Sequence, residues 1–152
     1  MSSLLVKPDL SPEAQQVHRI TPESAGWHYV GFEIFDLAPP KRLERESGPR
    51  EECLVLLSGR ASMSVDGHSF GAIGARHTPF EGKPFAVYAP PRSRIRVVPE
   101  TGCELAVCSA PASGTLAARL IRRPSSGTRH RHQAQMEGDR FCSRYGSSNV
   151  PN

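Results

Sequence analysis

The stretch Arg50–Gly67, REECLVLLSGRASMSVDG, constrains the fold more than any other part of the chain. Cys53–Leu57 is an apolar run of strand length, and Ser58-Gly59 is a turn pair. Ala61–Val65 alternates small or apolar with polar residues. Asp66-Gly67 is one of the strongest short-range hairpin signals, because both residues tolerate the positive φ that a tight turn needs. We read Arg50–Gly67 as a hairpin, with the rest of the chain up to Ala117 built around it.

Turns dominate the remainder. Fourteen prolines and thirteen glycines in 152 residues favour many short elements over long helices. A chain of this length fits one domain with a real core. Ser11-Pro12-Glu13 and Thr21-Pro22-Glu23 each place a capping hydroxyl before proline and an acid, a short helix start or a turn. Trp27–Leu37 puts Val30, Phe32 and Ile34 on one face and Tyr29, Glu33 and Phe35 on the other, as a strand does. Arg42–Glu46 suits a strand exposed over most of its surface. His68–Ile73, Ala86–Ala89, Arg94–Val98 and Glu104–Cys108 continue the series, with Gly74–Gly82 as a loop and Ser109-Ala110-Pro111 as a stop. Seven to nine short strands predict an all-β sandwich or barrel, which a single small jelly roll accommodates.

Charge is uneven. Residues 1–118 hold 12 Lys/Arg against 13 Asp/Glu, whereas residues 119–152 hold 7 Arg against 2 acids, so the basicity belongs to the tail. Residues 122–152 show neither strand nor helix period and predict a basic, low-complexity, disordered tail. No apolar run approaches the ~20 residues that span a bilayer. The N-terminal residues lack the basic start and apolar run of a signal peptide, which predicts a cytoplasmic protein. Cys53, Cys103, Cys108 and Cys142 form no C-x-x-C pair. That argues against structural zinc or a disulfide framework, and the first three read as small core hydrophobes.

Several blocks in order carry a resemblance: LLVKP, TPESAGWHYVGFEIF, REECLVLLSG, FEGKPFAVYAPPRSR and ELAVCSAPA. Over roughly residues 1–121 the chain resembles the N-terminal half of bacterial 5-deoxy-glucuronate isomerase, a family of two-cupin proteins of myo-inositol catabolism. The resemblance implies a cupin-type jelly-roll barrel over residues 25–121, with an extended N-terminal lead over 1–24 and the tail over 122–152. It implies an aldose–ketose isomerase that converts 5-deoxy-D-glucuronate to 5-dehydro-2-deoxy-D-gluconate. A divalent metal, such as zinc or manganese, is expected in the family's second cupin, beyond the stretch that matches.

A catalytic cupin brings three imidazoles and a carboxylate to one divalent metal. Glu52, with six residues between it and Gly59, matches the carboxylate position. In that register the His pair would fall at Glu46/Gly48 or at Arg45/Ser47. Pro91-Arg92-Ser93 stands in for the downstream turn, and the third His position is Arg96. One of four ligands remains, so we expect no metal in this barrel and assign no catalytic residue. His18, His28, His68 and His77 each stand alone. Arg92, Arg94 and Arg96 alternate on one strand, as a solvated face or as a row that binds a uronate carboxylate. In the tail, His130-Arg131-His132 with Glu137 matches the start of the metal pattern, but Gly146 comes two residues late and no strand surrounds it. The seven arginines of residues 119–152, with Phe141 and Tyr145, give a weaker nucleic-acid reading.

Two functions follow. One is a 5-deoxy-glucuronate isomerase that lacks its catalytic second cupin, as a truncated or frame-shifted form with its composition break near Pro124. The other is a metal-free, non-catalytic barrel with a packing or oligomerisation role, forming a homo-oligomer through apolar surface.

Overall fold

A computed structural model describes residues 5–8, 15–114 and 116–121. It is all-β apart from one turn of helix. In chain order the elements are β1 (Gln16–Ile20), α1 (Pro22–Ala25), β2 (Gly31–Leu37), β3 (Leu43–Glu46), β4 (Arg50–Ser58) and β5 (Ala61–Val65). They continue with β6 (His68–Ile73), β7 (Phe85–Ala89), β8 (Arg94–Pro99), β9 (Cys103–Pro111) and β10 (Arg119–Ile121). Two antiparallel sheets form a cupin-type jelly roll. The larger has the order β1-β2-β9-β4-β7-β10 and the smaller β3-β8-β5-β6.

Alternation places one face of each strand in the core. Leu54 and Leu56 of β4, Leu105 and Val107 of β9, Val87 of β7, and Phe35 and Leu37 of β2 point inward from the larger sheet. They meet Ala61, Met63 and Val65 of β5 and Ile95 and Val97 of β8. Leu37, Leu54 and Leu105 are fully buried. Burying one such side chain contributes about 1.5–3 kcal/mol.

The hairpin reading of Arg50–Gly67 is corrected in part. β4 pairs with β7 and β9, whereas β5 pairs with β6 and β8, so Ser58-Gly59 is a corner between sheets and not the turn of a hairpin. Both strands carry an apolar alternate face, and those faces cover each other across the core. Gly59 makes the corner possible: its φ is 79°, and a Cβ there would lie 2.2 Å from the Gly102 carbonyl oxygen. The true hairpin joins β5 to β6 at Asp66-Gly67. Their φ values of 50° and 80° are those of the tight turn that such a pair favours.

Other boundaries shift. The strand expected at Trp27 begins at Gly31, and Trp27, Tyr29 and Val30 are exposed. β9 runs through Ser109-Ala110 to Pro111, because β4 still offers partners there as far as Arg50. β1, within the stretch expected as a lead, pairs with β2, and β10 pairs with β7. Thr21 caps α1: its hydroxyl accepts from the Ser24 amide while the Ser24 hydroxyl accepts from the Thr21 amide. Ser11-Pro12-Glu13 and the tail from Arg122 onward lie outside the described residues. Among the described residues no helix is long and apolar enough to cross a membrane.

Candidate functional site

β2, β3 and β4 aim charged side chains at one point inside the sandwich. Glu52 follows the inward alternation of Leu54 and Leu56 and is 2% exposed. On β3 the inward residue is Arg45, with Glu44 and Glu46 exposed on either side. Ser47, next in that inward series, is buried. Its hydroxyl donates to the Pro90 carbonyl at 2.9 Å and accepts from the Ser93 amide at 2.9 Å. The two registers left open by the sequence are thus resolved: Arg45/Ser47 face inward.

Arg45 is the centre of the cluster. Its Nη1 lies 2.6 Å from Glu33 Oε2 and its Nη2 2.9 Å from Glu52 Oε1. Its guanidinium carbon sits 5.9 Å from the centre of the Phe35 ring. Gln16 of β1 donates to Glu33 Oε1 at 2.7 Å, and Arg19 approaches the same oxygen at 3.9 Å. Two polar atoms of the cluster, Glu52 Oε2 and Arg45 Nε, are buried without a hydrogen-bond partner. Burial pushes the Glu52 carboxyl above its ordinary value; Arg45 opposes this and the Glu33 charge adds to it.

Arg45 therefore stands where a cupin metal site would draw on a histidine, and its guanidinium neutralises the carboxylate that a metal would otherwise bind. The third ligand position needs a correction. Arg92 has a φ of 61°, which marks it as the residue in the glycine place of the turn, one position earlier than read from the sequence. The inward residue of β8 that follows is Ile95, 1% exposed, while Arg96 points outward. A set of Arg45, Ser47, Glu52 and Ile95 does not fit a divalent cation. One donor is cationic and another apolar. Among the described residues no group of three or more His, Cys, Asp and Glu comes together as a metal site.

The four histidines among the described residues do not converge. His18 lies on β1 opposite Ile34. His28 is exposed beside Tyr29, His68 packs edge-on against Phe70, and the His77 amide donates to Glu81. Of the arginine row read from the sequence, only Arg94 and Arg96 lie on β8, on the outer face of the smaller sheet, whereas Arg92 sits in the turn before it. Arg94 pairs with Glu46 at 3.7 Å and Arg96 with Glu44 at 3.3 Å, following the register of β3 against β8. Arg92 and Arg94 line an open cleft of about 720 Å³ with Glu46, Gly48, Asp66 and Gly67. The acids there balance the arginines. His130, His132, Glu137, Phe141, Tyr145 and Cys142 lie outside the described residues.

Sequence reasoning found Glu52 and missed Glu33, Gln16 and the role of Arg45. The available signal was Glu33, a charge in the middle of an apolar strand on the same face as Phe35.

The model of the KduI/IolB family matches residues 4–151. The chain belongs to this family. The match runs on past residue 121 and across the composition break near Pro124. Among family relatives, a 5-deoxy-glucuronate isomerase of Geobacillus kaustophilus (strain HTA426) is 42% identical over 137 residues, covering 89% of this chain and 50% of the relative. One of Geobacillus thermodenitrificans (strain NG80-2) is 40% identical over 138 residues, covering 90% and 50%. The crystal structure of an IolB-like protein from Salmonella typhimurium LT2 superposes with a TM-score of 0.73 at 41% identity, over 78% of this chain and 45% of that one. The chain spans about half the length of the curated relatives it matches.

Proposed function

We propose that this chain is the metal-free barrel of a 5-deoxy-glucuronate isomerase, taking part in the conversion of 5-deoxy-D-glucuronate to 5-dehydro-2-deoxy-D-gluconate in myo-inositol catabolism. The observation that carries the reading is the 42% identity across 89% of the chain with a relative of that name. The Arg45 guanidinium between Glu33 and Glu52 supports the metal-free part, since it supplies internally the positive charge those carboxylates need. Proton transfer between C1 and C2 of the sugar belongs, in this reading, to the relatives' other half. This barrel contributes a rigid packing partner, and its substrate class is a sugar acid. A cytoplasmic location goes with this reading.

The test is uronate isomerisation by the purified chain with zinc or manganese added. The expected result is no turnover from a folded sample, and turnover on mixing with the remaining half of the Geobacillus kaustophilus relative. Turnover by the chain alone, surviving removal of contaminating enzyme, would overturn the metal-free reading.

A further inference from the structure

Three cysteines lie on described strands, and two of them face each other. Cys53 of β4 and Cys108 of β9 are directly opposed in the antiparallel register. Inward alternation on β4 belongs to Glu52, Leu54 and Leu56, and on β9 to Cys103, Leu105 and Val107. Cys53 and Cys108 therefore emerge together on the outer face of the larger sheet, between Phe32 of β2 and Tyr88 of β7 in one cross-strand row. Both are partly exposed free thiols, and each lies close enough for the Cys108 charge to act on Cys53. Cys103, by contrast, is buried in the core.

We propose that Cys53 and Cys108 are a modification site: a facing dithiol that a two-electron oxidant, a peroxide or a small disulfide, closes into a cross-strand disulfide. The geometry permits it. Opposed residues of an antiparallel pair have Cα atoms about 4.5 or 5.5 Å apart, inside the roughly 4.4–6.8 Å that a disulfide spans. Their Cβ atoms, about 4.5–5.5 Å apart, need to approach by at most about 1 Å.

With hydrogen peroxide, one thiolate attacks the O–O bond, keeps one oxygen as a sulfenic acid and releases the other as water. The second thiolate then attacks that sulfur and expels the remaining oxygen as a second water. Two thiols are oxidised and one peroxide is reduced. With oxidised glutathione, the first thiolate forms a mixed disulfide and releases one glutathione thiol; the second displaces the other. Burial pushes both thiols up. The thiolate is scarce at neutral pH, and closure runs faster as the medium turns alkaline. The titratable and charged groups on this face are Tyr88 of β7 and Glu51 of β4, joined by a 2.9 Å hydrogen bond from the Tyr88 hydroxyl, Arg119 of β10 near the Tyr88 ring, and, farther along the strands, His18 of β1, Asp36 of β2 and Glu104 of β9.

The experiment treats the reduced, folded full chain with hydrogen peroxide in one arm and oxidised glutathione in the other. Non-reduced samples are digested with trypsin and a glutamate-specific protease, which separates Cys103 from Cys108, and read by mass spectrometry. The expected product is the Cys53–Cys108 link, in about tenfold or greater excess over any other pairing because the partners are held in contact. It is reversed by dithiothreitol, abolished in Cys53→Ala and in Cys108→Ala, and lost in denaturant. A link in either arm supports the site and identifies its oxidant class. Predominant links to Cys103 or Cys142, separate sulfinic acids on Cys53 and Cys108, or no reaction in either arm would overturn it.

Discussion

The same pair of residue types, arginine and glutamate, is used in two regions of this molecule with opposite consequences. Inside the sandwich Arg45 is clamped between Glu33 and Glu52, whose side chains are 14% and 2% exposed. On the outer face of the smaller sheet Arg94 and Arg96 meet Glu46 and Glu44 with every partner more than half exposed. Water and salt screen the outer ladder, so each pair there adds little. The inner cluster has surrendered its hydration, and each charge depends on the others. Position relative to solvent, more than the identity of the pair, decides how much each holds.

The largest expected effect is at Arg45. Arg45→Ala leaves the buried Glu52 without its paired cation and Glu33 with only the more distant Arg19, and should cost about 3–5 kcal/mol in urea unfolding. Replacing the whole cluster (Glu33→Gln, Arg45→Met, Glu52→Leu) should cost far less, or even stabilise by about 1–4 kcal/mol. A triple variant as unstable as Arg45→Ala would mean that the ions themselves hold the fold.

Glu52 sharpens the contrast through pH. Its folded carboxyl is raised above 4.5, so the folded chain holds the proton more tightly than the unfolded chain does. This contribution is greatest below the unfolded value and is lost as pH rises through the folded one. Compared with Glu52→Gln, the stability of the unaltered chain should therefore fall as pH rises from 4.5, by up to ~1.4 kcal/mol per pH unit. Parallel pH profiles would place the proton elsewhere.

At the surface, a double-mutant cycle on Glu44 and Arg96 should give a coupling of only about 0.2–1 kcal/mol, shrinking further in salt. A coupling near that of the inner cluster would erase the distinction. Smallest of all, Arg94→Ala with Arg96→Ala should change the affinity for 5-deoxy-D-glucuronate, measured calorimetrically, by less than about twofold, since those arginines already have carboxylates. Loss of binding would restore the row as a uronate site.

Much of the sandwich was legible in the chain. The apolar run at Cys53–Leu57, the alternation in Ala61–Val65, the Asp66-Gly67 turn and the apolar run at Glu104–Cys108 each led to a strand or turn where the structure has one. The edge strands β1 and β10 were not legible. QVHRI and RLI are short and mixed, and they become strands because β2 and β7 offer them hydrogen bonds. Most of the inner cluster was also hidden, because Gln16, Glu33 and Arg45 come from three separate strands and meet only when the sheets close.

By itself the sequence determined an all-β chain, its strand rhythm and its likeness to the isomerase family, since local alternation and turn chemistry act over a few residues. Tertiary structure decided which of Arg45 and Glu46 faces the interior, that Ser58-Gly59 turns a corner between sheets, and that Arg92 takes the glycine place ahead of an inward Ile95. The physical reason is the strand period of two. A shift of one residue turns every side chain to the opposite face, and only packing against the second sheet chooses between the two.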